Sequence, residues 1–143
     1  MKALAQLFLV LVVSIASFSD AGAQCKNFTK RKCIPQMAPY INNGQYNGAT
    51  LFEGETASVM MTFYSGQDYR LIVCSQDILK GTYFEIKDED GNLLYTNKDK
   101  DSDVWDFNVA STQQLMVEVT VPQTSTHDVK NSGCVSILVG FLE

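Results

Sequence analysis

The sequence predicts an all-β fold, an antiparallel β-sandwich of jelly-roll or Greek-key type with about 7–8 strands, behind an extended N-terminal segment. Three observations predict it. From Ala57 onward, short β-rich runs alternate with turn residues at a spacing of about 10, as in sandwiches and barrels. Three of those runs carry an apolar side chain at every second place: Trp105, Phe107 and Val109; Leu115, Val117, Val119 and Val121; and Val135, Ile137, Val139 and Phe141. Side chains alternate across a strand, so these stripes are the expected core. No stretch shows the period of a long amphipathic helix.

At the N-terminus, Met1 and Lys2 precede an apolar run from Leu4 to Ala16, and Ala21-Gly22-Ala23 follows as a small-residue cleavage site. This is the pattern of a signal peptide over residues 1–23. The run is too short for a bilayer, which needs about 20 residues, and no later segment is longer, so no transmembrane anchor is expected. Gln24 in front of Cys25 departs from the small residue that lipidation requires. Residues 24–143 are then one β-sandwich domain, exported to a periplasmic or extracellular space.

The expected strands are Ala57 to Tyr64, Tyr69 to Cys74, Tyr83 to Lys87, Asn92 to Asn97, Val104 to Val109, Leu115 to Val121 and Val135 to Phe141, with Ala49 to Phe52 as an eighth. Ser65-Gly66-Gln67-Asp68 and Asp88-Glu89-Asp90-Gly91-Asn92 separate pairs of them, and an Asp-Gly step between β runs marks a hairpin. Pro122 closes the Leu115 run. The polar stretch from Gln123 to Gly133 is long enough to carry the last strand to the other sheet. Residues Gln24 to Gly48, with Pro35 and Pro39, show no clear period and are read as an extended wrap.

All four cysteines, Cys25, Cys33, Cys74 and Cys134, follow the leader, and in an oxidising compartment an even count means disulfides. Four cysteines allow three connectivities; the favoured one joins Cys25 to Cys33 and Cys74 to Cys134, for about 2.5 and about 4 kcal/mol on a chain-entropy estimate. Parity puts Cys74 on the face of Arg70 and Ile72, and Cys134 on the face opposite Val135, so both lie on the less apolar side of their strands.

Chemistry is sparse. The one histidine, His127, lies in the polar loop among Thr124, Ser125, Thr126 and Asp128, with no nucleophile elbow in the chain, so no catalytic residue is assigned and no enzyme is expected. Asp99, Asp101 and Asp103 alternate before Trp105 and are a candidate Ca²⁺ loop, although Val104 and Ser111 stand where a helical calcium loop needs Gly and Glu. No other cofactor is expected. Lys26, Lys30, Arg31 and Lys32 place four positive charges in a domain of net charge −5, leaving −9 on the remainder. This is a candidate docking site for an anionic surface, while the overall acidity argues against nucleic acid. Tyr83 shares the outward parity of Glu85 and Lys87, and an outward ring can lie against a sugar.

Several stretches, among them Pro39-Tyr40, Asn43-Gly44-Gln45-Tyr46, Thr62 to Arg70, Trp105 to Leu115 and Gly133 to Phe141, resemble an uncharacterised family of small exported bacterial proteins. A looser likeness, on Asp68 to Leu71, Phe84 to Asp88 with Asp90-Gly91, and Val117 to Val119, is to jelly-roll accessory modules of the pre-peptidase C-terminal or GOLD type. The resemblance implies an exported β module and no particular ligand. The expected function is a secreted or periplasmic non-enzymatic module that binds an envelope or extracellular protein or a glycan; a structural or stress-related envelope protein without a small ligand is the alternative.

Overall fold

The computed structural model describes residues 21–126 and 128–143. The expected leader, apart from its last three residues, lies outside the described residues, as does His127. The chain begins with helix α1 (Ala21–Phe28), which continues through a π-helical turn (Thr29–Cys33) and a 3-10 turn (Ile34–Met37). Among the described residues nine strands follow: β1 (Ile41–Asn42), β2 (Asn47–Phe52), β3 (Thr56–Phe63), β4 (Asp68–Ser75), β5 (Tyr83–Lys87), β6 (Leu93–Thr96), β7 (Val104–Asn108), β8 (Gln113–Thr120) and β9 (Ser132–Phe141).

The strands form two antiparallel sheets, one ordered β1-β9-β4-β7 with β2 also on β9, the other ordered β3-β8-β5-β6. Taken from β2 onward, 2-9-4-7 facing 3-8-5-6 is the strand order of a jelly roll, in which successive strands alternate between layers except at the β5 to β6 hairpin. The crossing expected between Gln123 and Gly133 is found: β8 lies in one sheet and β9 in the other.

The alternating stripes meet between the layers. Leu115, Val117, Val119 and Val121 come from one sheet and Val135, Ile137 and Val139 from the other, all buried, with Phe84, Ile86 and Leu71 completing the centre. The seam between β6 and β7 is closed by aromatic rings: Tyr95 stacks on Trp105 at 4.6 Å, Trp105 on Phe107 at 4.0 Å, and Phe107 on Tyr69 at 5.6 Å. Phe63 meets Tyr69 and Phe107 edge-on, the favourable geometry for rings whose edges are positive and faces negative.

The N-terminal segment departs from the expected extended wrap. It is helical and lies across the outer face of the β9 and β4 sheet as a third layer. Cys25, Thr29, Cys33 and Met37, every fourth residue, are all buried, which is the spacing of one helical face. Cys33 and Met37 pack on Ile72, Cys74 and Leu138. β9 is therefore buried on both faces from Gly133 to Gly140. A Cβ on Gly140 would come within 2.5 Å of the Met37 sulfur, so glycine there is what lets the 3-10 turn cross the strand.

The disulfide pairing also differs from the favoured one: Cys25 is bonded to Cys134 and Cys33 to Cys74, with Cα separations of 5.2 and 5.8 Å. The reason is geometric. Eight residues of helix separate Cys25 and Cys33 by about 12 Å, beyond the span of a disulfide. Cys74 pairs in register with Ser136, so Cys134 sits one step along the same face and is only a diagonal neighbour. Both strand cysteines point outward, as parity indicated, and each meets the helix instead.

Candidate functional site

The helical segment presents the basic cluster. Its buried face is fixed by the two disulfides at either end and by the Thr29 hydroxyl, which donates to the Cys25 carbonyl at 2.8 Å and accepts from Ser136 on β9. The C-terminal end is held by Arg70 on β4. Its guanidinium grips Asp106 through two bonds of 2.7 Å, donates to the Ala38 carbonyl at 2.8 Å and lies 4.5 Å from the Tyr40 ring centre. A forked charge-assisted pair of this kind orients as well as attracts.

Lys26, Lys30, Arg31 and Lys32 all project from this clamped segment into solvent. The ion pairs among the described residues are Arg70 with Asp106 and Lys87 with Glu85 and Glu118, so none of the four cations is neutralised by the domain's own carboxylates. Beside them opens a recess of about 700 Å³, with Phe28, Lys32 and Gln36 on the helical wall and Asp77, Ile78 and Asp103 opposite. The sequence brought the four cations together by proximity alone; the structure adds a rigid support and a neighbouring concavity.

The other sequence candidates are placed differently. Asp99, Asp101 and Asp103 are exposed on the β6 to β7 loop, and Asp99 takes a left-handed backbone, φ 65°. Burial pushes the Asp103 carboxyl up, and the nearby Asp101 charge adds to it. The three do not gather as a metal centre: among the described residues no group of three or more His, Cys, Asp or Glu side chains does. Tyr83 is half-buried with the Lys98 ammonium 5.0 Å from its ring centre. Trp105, the one tryptophan, has Tyr95 on one face and Phe107 on the other, so its faces are already occupied.

Sequence reasoning missed Glu53. Gly54 and Glu55 follow it in a short turn, and nothing local distinguishes it. In the structure it is fully buried between β2 and β3, yet its carboxylate accepts hydrogen bonds from Thr124 Oγ1 at 2.6 Å, from Ser125 Oγ, and from Asn131 Nδ2 at 3.2 Å. These donors lie on the loop from β8 to β9, so one carboxylate pins the crossover. The Ser125 and Thr124 hydroxyls bring its pKa down from 4.5 to about 2 against the opposing effect of burial. A depressed carboxyl pKa means that Glu53 contributes its stability fully above about pH 4.5 and loses it as pH falls toward 2. The melting temperature of the native protein should therefore fall on acidification from about pH 5 to about pH 2.5, and in Glu53→Gln, already less stable at neutral pH, that fall should be shallower. Thermal melts of both proteins across that range measure the difference.

No family model matches the chain, and no curated protein matches it. Among solved structures the chain is similar to Aeromonas hydrophila PliG, a periplasmic inhibitor of g-type lysozyme, with 9% identity over 73% of this chain and 89% of that one and a TM-score of 0.54. A de novo designed double-stranded β-helix aligns over 68% of this chain and 99% of its own at 12% identity, with a TM-score of 0.34, too low to support an argument. What the chain shares with PliG is its fold, a β-rich frame.

Proposed function

We propose that the protein is an exported, non-enzymatic interaction module that docks an acidic protein surface through Lys26, Lys30, Arg31 and Lys32. The observation that carries this reading is that four unpaired cations stand on a short helix bolted to the sheet at both ends. In a domain whose other charges sum to −9, they would be drawn to local carboxylates if the support allowed it. With the segment clamped, no backbone ordering remains to be done on binding. The disulfides fit an oxidising compartment outside the cytoplasm. The likeness in fold to a periplasmic inhibitor is in keeping with a frame used for recognition, and the g-type lysozyme named there is a sensible first protein to try.

The test uses polyglutamate and heparin as probes, because the natural partner is unidentified. The native domain should bind polyglutamate at about 0.01 M salt, where charges act over about 30 Å, and lose most of that binding at about 0.15 M, where they act over about 8 Å. Lys30→Glu, Arg31→Glu and Lys32→Glu together should reduce the low-salt affinity at least about tenfold, or about 1.4 kcal/mol, without changing the melting temperature. Binding unaffected by the triple change would end the proposal; retention of heparin alone would move the partner from an acidic protein to an anionic glycan.

A further inference from the structure

The aromatic rings seal one seam of the sandwich, but the opposite seam, between the edge strands β2 and β3, is open. The cause is side-chain size. Register with β9 turns Asn47 and Ala49 of β2 toward the core, and register with β8 does the same for Ala57 and Val59 of β3. Where the far seam has Tyr95, Trp105 and Phe107, this one has two alanines and an asparagine, whose short side chains leave a gap. What remains is a slot of two adjoining hollows of about 340 and about 390 Å³, which share Asn47 and Val59. Val119, Val135 and Ile137 of the core line its inner part.

Shape, polarity and charge select an occupant. The slot follows β3 from Ala57 to Phe63, about 20 Å of strand, so it suits a slender chain rather than a folded surface. Its lining carries no charged side chain, and the main chains of Val119, Val135 and Ile137 are already paired within their sheets. A polypeptide laid against them would bury N–H and C=O groups without partners, whereas an alkyl chain has none to bury. A third hollow, of about 330 Å³, adjoins the slot at Tyr46 and Gly48 and is lined by Lys26. Lys26 is the one charged side chain among the described residues lining the three hollows. The acidity of the rest of the domain does not outweigh it, because at about 0.15 M salt charges act over about 8 Å.

We infer that the slot binds a long-chain fatty acid, its alkyl chain lying between the sheets and its carboxylate at the rim beside Lys26. The chain would cover Ala57, Val59 and Met61, the inward side chains of β3 that the fold leaves only half-buried. The combined size of the hollows falls in the range of small-molecule sites, which are mostly apolar with a few polar groups that fix orientation. This goes beyond the docking of an acidic protein and does not need it, although both use Lys26.

Calorimetric titration of the native protein with laurate, below the concentration at which it forms micelles, tests it. Laurate should bind one to one and at least about tenfold more tightly than octanoate, since each methylene taken out of water contributes about fourfold. Dodecyltrimethylammonium, the same chain with a cationic head, should bind at least about threefold more weakly than laurate, and Lys26→Glu should remove that preference. Lys30→Glu, Arg31→Glu and Lys32→Glu together should leave laurate affinity within about twofold, which separates the slot from the docking surface. Ala49→Phe places a ring in the slot and should abolish laurate binding without lowering the melting temperature. In the native protein, amide chemical shifts should move at Ala49, Ala57 and Val59 and stay fixed at Trp105. No binding of laurate overturns the inference, as do equal affinities for the two head groups, shifts confined to another face, or loss of laurate binding in the triple variant. Adherence to phosphatidylglycerol vesicles without binding of free laurate would overturn it too, in favour of a membrane surface.

Discussion

Replacing Cys25 and Cys134 together by alanine should lower the free energy of unfolding by about 4.7 kcal/mol, and replacing Cys33 with Cys74 by about 4 kcal/mol, if chain entropy dominates. The larger value follows from the larger loop: the first bridge spans 109 residues of sequence and the second 41. A domain of this size is stable by about 5–15 kcal/mol, so either loss is a large share of the total and both together leave little. Urea unfolding measures it, and the slope against denaturant should rise in each variant because the unfolded chain can expand further. Non-reducing peptide mapping of the native protein should recover Cys25 linked to Cys134. A Cys25 peptide linked to Cys33 would instead restore the pairing that sequence spacing favours and detach the helix from the sheet.

Phe84→Ala is expected to cost about 3–5 kcal/mol, comparable to losing a disulfide but for a different reason. Phe84 is fully buried on β5, with the Tyr95 ring 5.7 Å away, and its amide donates to Asn97 Oδ1 at 2.7 Å. Removing the ring opens a cavity between sheets that can relax little, since both walls are hydrogen-bonded strands. The melting temperature should drop by about 10 °C or more. Phe84→Leu keeps most of the volume and should cost less than about 2 kcal/mol. Equal losses in the two variants would place the stability in the ring's contact with Tyr95 rather than in space filling.

Much of the fold is legible in the sequence because a sandwich writes its own period. The stripes at Leu115 to Val121 and Val135 to Phe141 needed no information beyond alternation, and Asp90-Gly91 marks a turn by backbone freedom alone, with Gly91 at φ 83°. The N-terminal helix was harder. Its signal, Cys25, Thr29, Cys33 and Met37 at every fourth place, hides among polar and basic residues, and only the sheet beneath makes those four positions apolar in effect. The cysteine partners and the burial of Glu53 depend on contacts across 41 to 109 residues, which no local pattern encodes. The basic site was half legible: the charges are adjacent in sequence, but what fixes them is the pair of bridges.

The stack of Tyr95, Trp105 and Phe107 gives the molecule an internal gauge. Because the single indole is sandwiched where the edge strand of one layer meets that of the other, its ultraviolet emission and its coupled near-ultraviolet circular dichroism report the separation of β6 from β7. An opening of the sandwich along that seam, too small to change backbone content, would be visible as a spectral shift without any added label.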